Sequence, residues 1–119
     1  MEYKIYSNEQ IIADRQLLGD AAKAANISVE SIVLGSTGSG GVIVKNEFSR
    51  KYWNPLTNND DAFSLAIKLG IGISLPDKKF PNVRRAFLGQ MNYFSVMDDD
   101  HEAAVRRAVT MAAASMITI

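Results

Sequence analysis

The chain of 119 residues contains no cysteine, one histidine and one tryptophan. Without thiols there is no disulfide framework, no cysteine nucleophile and no cysteine-based zinc site, a composition that suits a reducing compartment. The lone histidine, His101, excludes a multi-histidine metal centre. Net charge is missing as well: thirteen basic and thirteen acidic residues cancel, so no long-range field draws the chain to nucleic acid or to an anionic membrane. No run approaches the roughly 18 apolar residues of a membrane span, and Glu2 and Lys4 interrupt any signal-like stretch at the N-terminus. These absences set the expectation of a cytoplasmic protein with no membrane association, no metal and no cofactor.

What is present is globular. Hydrophobic residues make up 47% and charged residues 22%, enough for one core and too short for two. The expectation is a single domain over residues 1–119, with a radius of gyration of about 13–14 Å.

Helix and strand signals alternate along it. Tyr3 and Ile5 permit a short strand, and Ser7 with Gln10 has the form of a capping box. Asp14 is a second candidate cap, ahead of an apolar stripe of Leu17, Leu18, Ala21, Ala22 and Ala25 at helical spacing. The spacing predicts a helix over about 14–25, with room for a turn upstream and Asn26 as its left-handed stop. Ile32-Val33-Leu34 and Val42-Ile43-Val44, joined by Gly35 to Gly41, predict a hairpin with a long loop. After Pro55, Asn58 or Asn59 starts a second helix, with Asp60 and Asp61 in its first turn and Gly70 at its end. Ala62, Phe63, Leu65, Ala66, Ile67 and Leu69 cover most of that cylinder, so burial on more than one side is expected. Ile71 to Leu75, Phe87-Leu88 and Tyr93 to Met97 are strand candidates, with a loop from Pro76 to Asn82. Asp98-Asp99-Asp100 opens a last helix through Val105, Ala108, Val109, Ala112 and Met116, with Arg106 and Thr110 on its other side. The fold class is α+β: a helix–sheet–helix sandwich of order about α-β-β-α-β-β-α, its sheet mixed or antiparallel.

Few constellations offer chemistry. The Gly35–Gly41 segment could cradle phosphate through backbone N–H groups, but it lacks a P-loop lysine and precedes a β-branched run; a hairpin loop is the simpler reading. Asp98, Asp99 and Asp100 could hold a hard cation, yet acidic residues at a helix start are explained by the dipole. Asp60 and Asp61 carry the same two readings. His101 lies in a first turn, where a solvated histidine is commonplace. Arg84-Arg85 and Arg106-Arg107 could meet phosphates or surface carboxylates; on a helix the latter pair diverges by about 100° and cannot share one target. Tyr52 and Trp53 are either partner anchors or, for Trp53, a plate packed on the sheet. The candidate partner contacts are Tyr52, Trp53, Asp60, Asp61, Arg84, Arg85, Asp98, Asp99, Arg106 and Arg107, with no catalytic, cofactor or metal residue among them.

Three segments together resemble a known family. Ala13-Asp14-Arg15-Gln16-Leu17-Leu18 with Ala21 to Ile27, then Trp53-Asn54-Pro55-Leu56-Thr57-Asn58-Asn59-Asp60-Asp61-Ala62 with Leu65 to Ile71, then Ala103 to Ala114 around Arg106-Arg107, resemble the phage ABA-sandwich proteins, related in pattern to NinX-like small phage proteins. The tryptophan–asparagine–proline signature is the specific part. Asn59 stands where the family pattern has glycine, residues 1–12 are additional, and the glycine-rich hairpin is outside the pattern. The resemblance implies a helix–sheet–helix sandwich encoded by a phage or prophage, and it transfers no catalytic residue.

The expectation for function is therefore a non-enzymatic phage accessory protein in the cytoplasm of the bacterial host. It would bind a host protein stoichiometrically, as a counter-defence inhibitor of the anti-CRISPR kind. The alternative is a small-molecule or nucleotide binder, a signal sponge using the Gly-rich loop and the arginine pairs. An unpaired edge strand would leave a homodimer open.

Overall fold

The computed structural model describes residues 5–46, 52–74, 79, 81–89 and 92–117. Its first element, α1 (Asn8–Ala24), starts well upstream of Asp14, because Ser7 is the true cap and its side chain accepts the Gln10 N–H at 3.1 Å. The apolar stripe behaves as its spacing demands: Leu18, Ala21, Ala22 and Ala25 are buried. Asn26 ends the helix with φ 59°, and Ile27 N–H returns to the Ala22 carbonyl at 2.8 Å. The strand expected around Tyr3 and Ile5 falls largely outside the described residues, and Ile5 and Tyr6 themselves are not in a strand.

The hairpin forms from β1 (Val29–Leu34) and β2 (Gly40–Val44), antiparallel, with Leu34 opposite Gly40. Trp53 extends it by a two-way backbone bridge to Val42, with N–O distances of 2.8 and 2.9 Å. Gly41 permits that approach, since a Cβ there would lie 2.6 Å from the Trp53 carbonyl oxygen.

α2 (Asn59–Leu69) is capped by Asn58, whose side chain accepts the Asp61 N–H at 3.0 Å, and stopped by Gly70 at φ 69°. The expectation of burial on several sides is corrected. Ala62, Leu65 and Ala66 are buried, whereas Phe63 and Ile67 are 63% and 66% exposed. Small residues form the packing stripe, so the helix lies on the surface and presents two large apolar side chains outward.

The second sheet is antiparallel, in the order β3 (Gly72–Ile73), β4 (Val83–Leu88), β5 (Asn92–Met97). β3 is shorter than the alternation of 71–75 suggested, and Leu75, Pro76 and most of the loop that follows lie outside the described residues. β4 begins at Val83 rather than near Phe87, which places both Arg84 and Arg85 in the strand, on opposite faces.

α3 (His101–Ser115) is capped by Asp100, which accepts the Ala103 N–H at 3.0 Å. It packs against α1, α2, β4 and β5. That many neighbours need small side chains, and Ala104, Ala108, Ala112 and Ala113 are fully buried. Thr110 is a correction: it is buried rather than on the polar side, with its hydroxyl donating to the Arg106 carbonyl at 2.7 Å. The fold is α+β as expected, order α-β-β-α-β-β-β-α, with two small antiparallel sheets and a Cα radius of gyration of 14.1 Å. No described helix is long and apolar enough to cross a membrane.

Candidate functional site

Two surfaces stand out, one on each face of the β3–β5 sheet. The first is an open groove of about 420 Å³ between α2, α3 and the β3–β4 edge. Its apolar walls come from Ala62 and Phe63 of α2, Ile73 of β3, and Val105 and Val109 of α3; Asn59, Asp60, His101, Glu102 and Arg106 form its polar part. Arg84 also lines it, only 7% exposed.

The charges in the groove are not equivalent. Arg106 donates from Nε to the Leu56 carbonyl at 2.8 Å and from Nη1 to Asn59 Oδ1 at 2.7 Å, while Asn59 Nδ2 donates to Glu102 at 3.0 Å. That chain ties the starts of α2 and α3 together. Arg84 is different. Its Nη1 donates to the Pro81 and Val83 carbonyls at 2.7 and 3.0 Å, and no described carboxylate pairs with it.

The second surface is the outer face of β4–β5. Arg85 pairs with Ser95 and Phe87 with Tyr93 across the strands, and Val83 with Met97. The Phe87 and Tyr93 rings lie 5.8 Å apart, and the Arg85 guanidinium sits 5.6 Å from the Tyr93 ring centre while Nε donates to Ser95 Oγ at 3.2 Å. Tyr93 and Met97 are 53% and 76% exposed. β5 is one of the two edge strands of this sheet, β3 being the other.

The structure distributes the expected contact residues unevenly. Asp60, Arg84 and Arg106 meet in the groove. Arg85 is on the opposite sheet face. Trp53 is half-buried against the core and holds Val42, whereas Tyr52 is exposed beside it. Asp61 accepts the Asn54 N–H at 2.9 Å, fixing the turn before α2. Asp99 accepts from Asn82 Nδ2 at 3.1 Å, and His101 Nε2 is 3.2 Å from Asn82 Oδ1. Asp98 and Arg107 border a cleft of about 70 Å³ together with Gly35 and Gly38 of the glycine-rich loop. Arg107 is held there by Asp14, both oxygens accepting at 3.0 Å. Sequence reasoning missed Phe63, Ile73, Val105, Tyr93 and Met97 as surface contributors. The helical spacing of Phe63 and Ile67 is the same for an exposed pair as for a buried one, so it carried no signal.

Among the described residues, no group of three or more histidine and acidic side chains is placed to hold a metal. Comparison of the chain with protein-family models, curated proteins and solved structures finds no match. The phage-family resemblance rests on its sequence signature alone.

Proposed function

We propose that this chain is a phage- or prophage-encoded accessory protein that binds a host protein stoichiometrically and does no chemistry on it. The observation that carries the binding is the outer face of β4–β5. It joins exposed Tyr93 and Met97, both on the edge strand β5, to the Arg85–Tyr93 stack. An aromatic and an arginine at the centre of an apolar patch are the usual anchors of a protein interface. An outermost strand also offers backbone groups for a partner strand. Within this class we place counter-defence inhibition, of the anti-CRISPR kind, first. That finer role draws on the phage resemblance and on the size of the domain, and its setting is the cytoplasm of the bacterial host.

The test uses a partner captured from bacterial lysate and then purified. Wild-type protein should co-elute with it at a fixed stoichiometry, and the double substitution Tyr93→Asp, Met97→Asp should abolish co-elution while leaving the melting temperature within a few degrees. Co-elution of the double variant, or loss on Ile12→Asp instead, would overturn the assignment of the face. The second reading, a small-molecule binder, is favoured by the α2–α3 groove. The glycine-rich loop does not favour it, since its cleft of about 70 Å³ is too small for a nucleotide.

A further inference from the structure

We infer that the α2–α3 groove binds a small organic monocarboxylate with an apolar body, its carboxylate held by Arg84. The inference develops the second reading and is independent of the sheet face on the other side.

Arg84 supplies the first argument. A guanidinium has five N–H donors, and the two on Nη1 are used by the Pro81 and Val83 carbonyls. The donors on Nε and Nη2 have no described protein acceptor. Among the described residues no fully buried side-chain nitrogen or oxygen lacks a partner, so these donors reach accessible space, and the space bordering Arg84 is the groove. A charged residue 93% removed from solvent, with no counter-ion among the described residues, attracts an anion more strongly than an exposed arginine does. Arg is also the residue whose planar fork matches a carboxylate with two parallel hydrogen bonds.

The groove's other charges narrow the anion. The first turns of α2 and α3 both border it, through Asn59 and Asp60 and through His101 and Glu102. Their caps satisfy the Asp61 and Ala103 N–H groups, and the earlier amides of each turn have no described acceptor, as at any helix start. Asp60 and Glu102 balance these positive poles and repel a second negative charge. Arg106 is committed to Leu56 and Asn59. The sum favours one negative charge over two, hence a carboxylate over a phosphate dianion.

The walls define the rest of the ligand. Ala62, Phe63, Ile73, Val105 and Val109 offer hydrocarbon and no hydrogen bond. Phe63 and Ile73 are 63% and 43% exposed, and a bound alkyl or aryl body would cover them. A volume of about 420 Å³ lies in the range of small-molecule sites. Each methylene removed from water adds to binding, so affinity rises with chain length until the groove is full.

The experiment titrates octanoate into the full chain by calorimetry and by amide chemical-shift mapping, with octanol, octylamine and inorganic phosphate as comparators. Octanoate should bind with shifts centred on Val105, Val109 and Phe63, and octanol, octylamine and phosphate at least tenfold more weakly. Arg84→Met should weaken octanoate at least tenfold. If that variant does not fold, Phe63→Glu, at an exposed position, should weaken octanoate at least tenfold by placing a second negative charge on the wall. Tyr93→Asp should leave octanoate binding unchanged, which separates this site from the protein-binding face. Equal binding of octanol, phosphate-dominated binding, undiminished affinity in either groove variant, or shifts mapping elsewhere would overturn the proposal.

Discussion

Asp14 and Arg107, 93 residues apart in the chain, form a two-pronged ion pair with both N–O distances at 3.0 Å, joining α1 to α3. The side chains are 14% and 32% exposed, so the pair is shielded on the aspartate side and wetter at the arginine. Its geometry exceeds that of ordinary surface pairs, although solvent at Arg107 reduces its strength. Asp14→Ala should lower stability by about 1 kcal/mol, seen as a reduced urea midpoint with unchanged slope. The loss should shrink in high salt by less than it would for a fully exposed pair.

Asn54 is a buried polar hub. Its Nδ2 donates to the Gly40 carbonyl at 2.9 Å, its Oδ1 accepts the Leu56 N–H at 3.0 Å, and it is 3% exposed. Asn54→Ala removes both bonds and leaves the part-buried Gly40 carbonyl and Leu56 N–H without these partners. A cost of about 2–3 kcal/mol is expected by chemical denaturation.

Gly41 has φ 146° and no room for a side chain, with the Trp53 carbonyl oxygen 2.6 Å from the would-be Cβ. Gly41→Ala must therefore displace the Trp53 bridge. Tryptophan fluorescence should shift in the folded state, with a stability loss of at least about 2 kcal/mol.

Ala112 has no exposed surface on the most crowded helix. Ala112→Leu should destabilise by about 1–3 kcal/mol through overpacking, whereas Phe63→Ala on the exposed face of α2 should change stability by less than about 0.5 kcal/mol. Thermal melts of the two variants test the contrast directly.

The parts of this fold that could be read from the sequence are those fixed within a few residues. The caps at Ser7, Asn58 and Asp100 and the left-handed stops at Asn26 and Gly70 are local hydrogen-bonding problems with local solutions. Asp14 resembled a cap because cap chemistry is visible nearby, while its actual partner, Arg107, is distant in sequence. The different fates of Arg84 and Arg85 depend on where β4 begins, since alternation assigns faces only once the strand is known. Exposure of Phe63 and Ile67 was hidden because apolar spacing does not say how many neighbours a helix has. Ala112 and Thr110 show the converse: α3 is enclosed, so even a hydroxyl on its expected polar side is buried.

α3 also bears on how the chain folds as it is synthesised. It is the last of the described helices in chain order, yet it supplies the surface on which α1, α2, β4 and β5 all pack. Ala21, Leu65 and Ala86 share one core cluster with Ala108, Val109 and Ala112 of α3, so their burial is incomplete until α3 has been made. Completion of the core is expected only once residues 104–114 are present, which a truncation series followed by circular dichroism checks. A stop anywhere before α3 would leave an aggregation-prone fragment in place of a smaller domain.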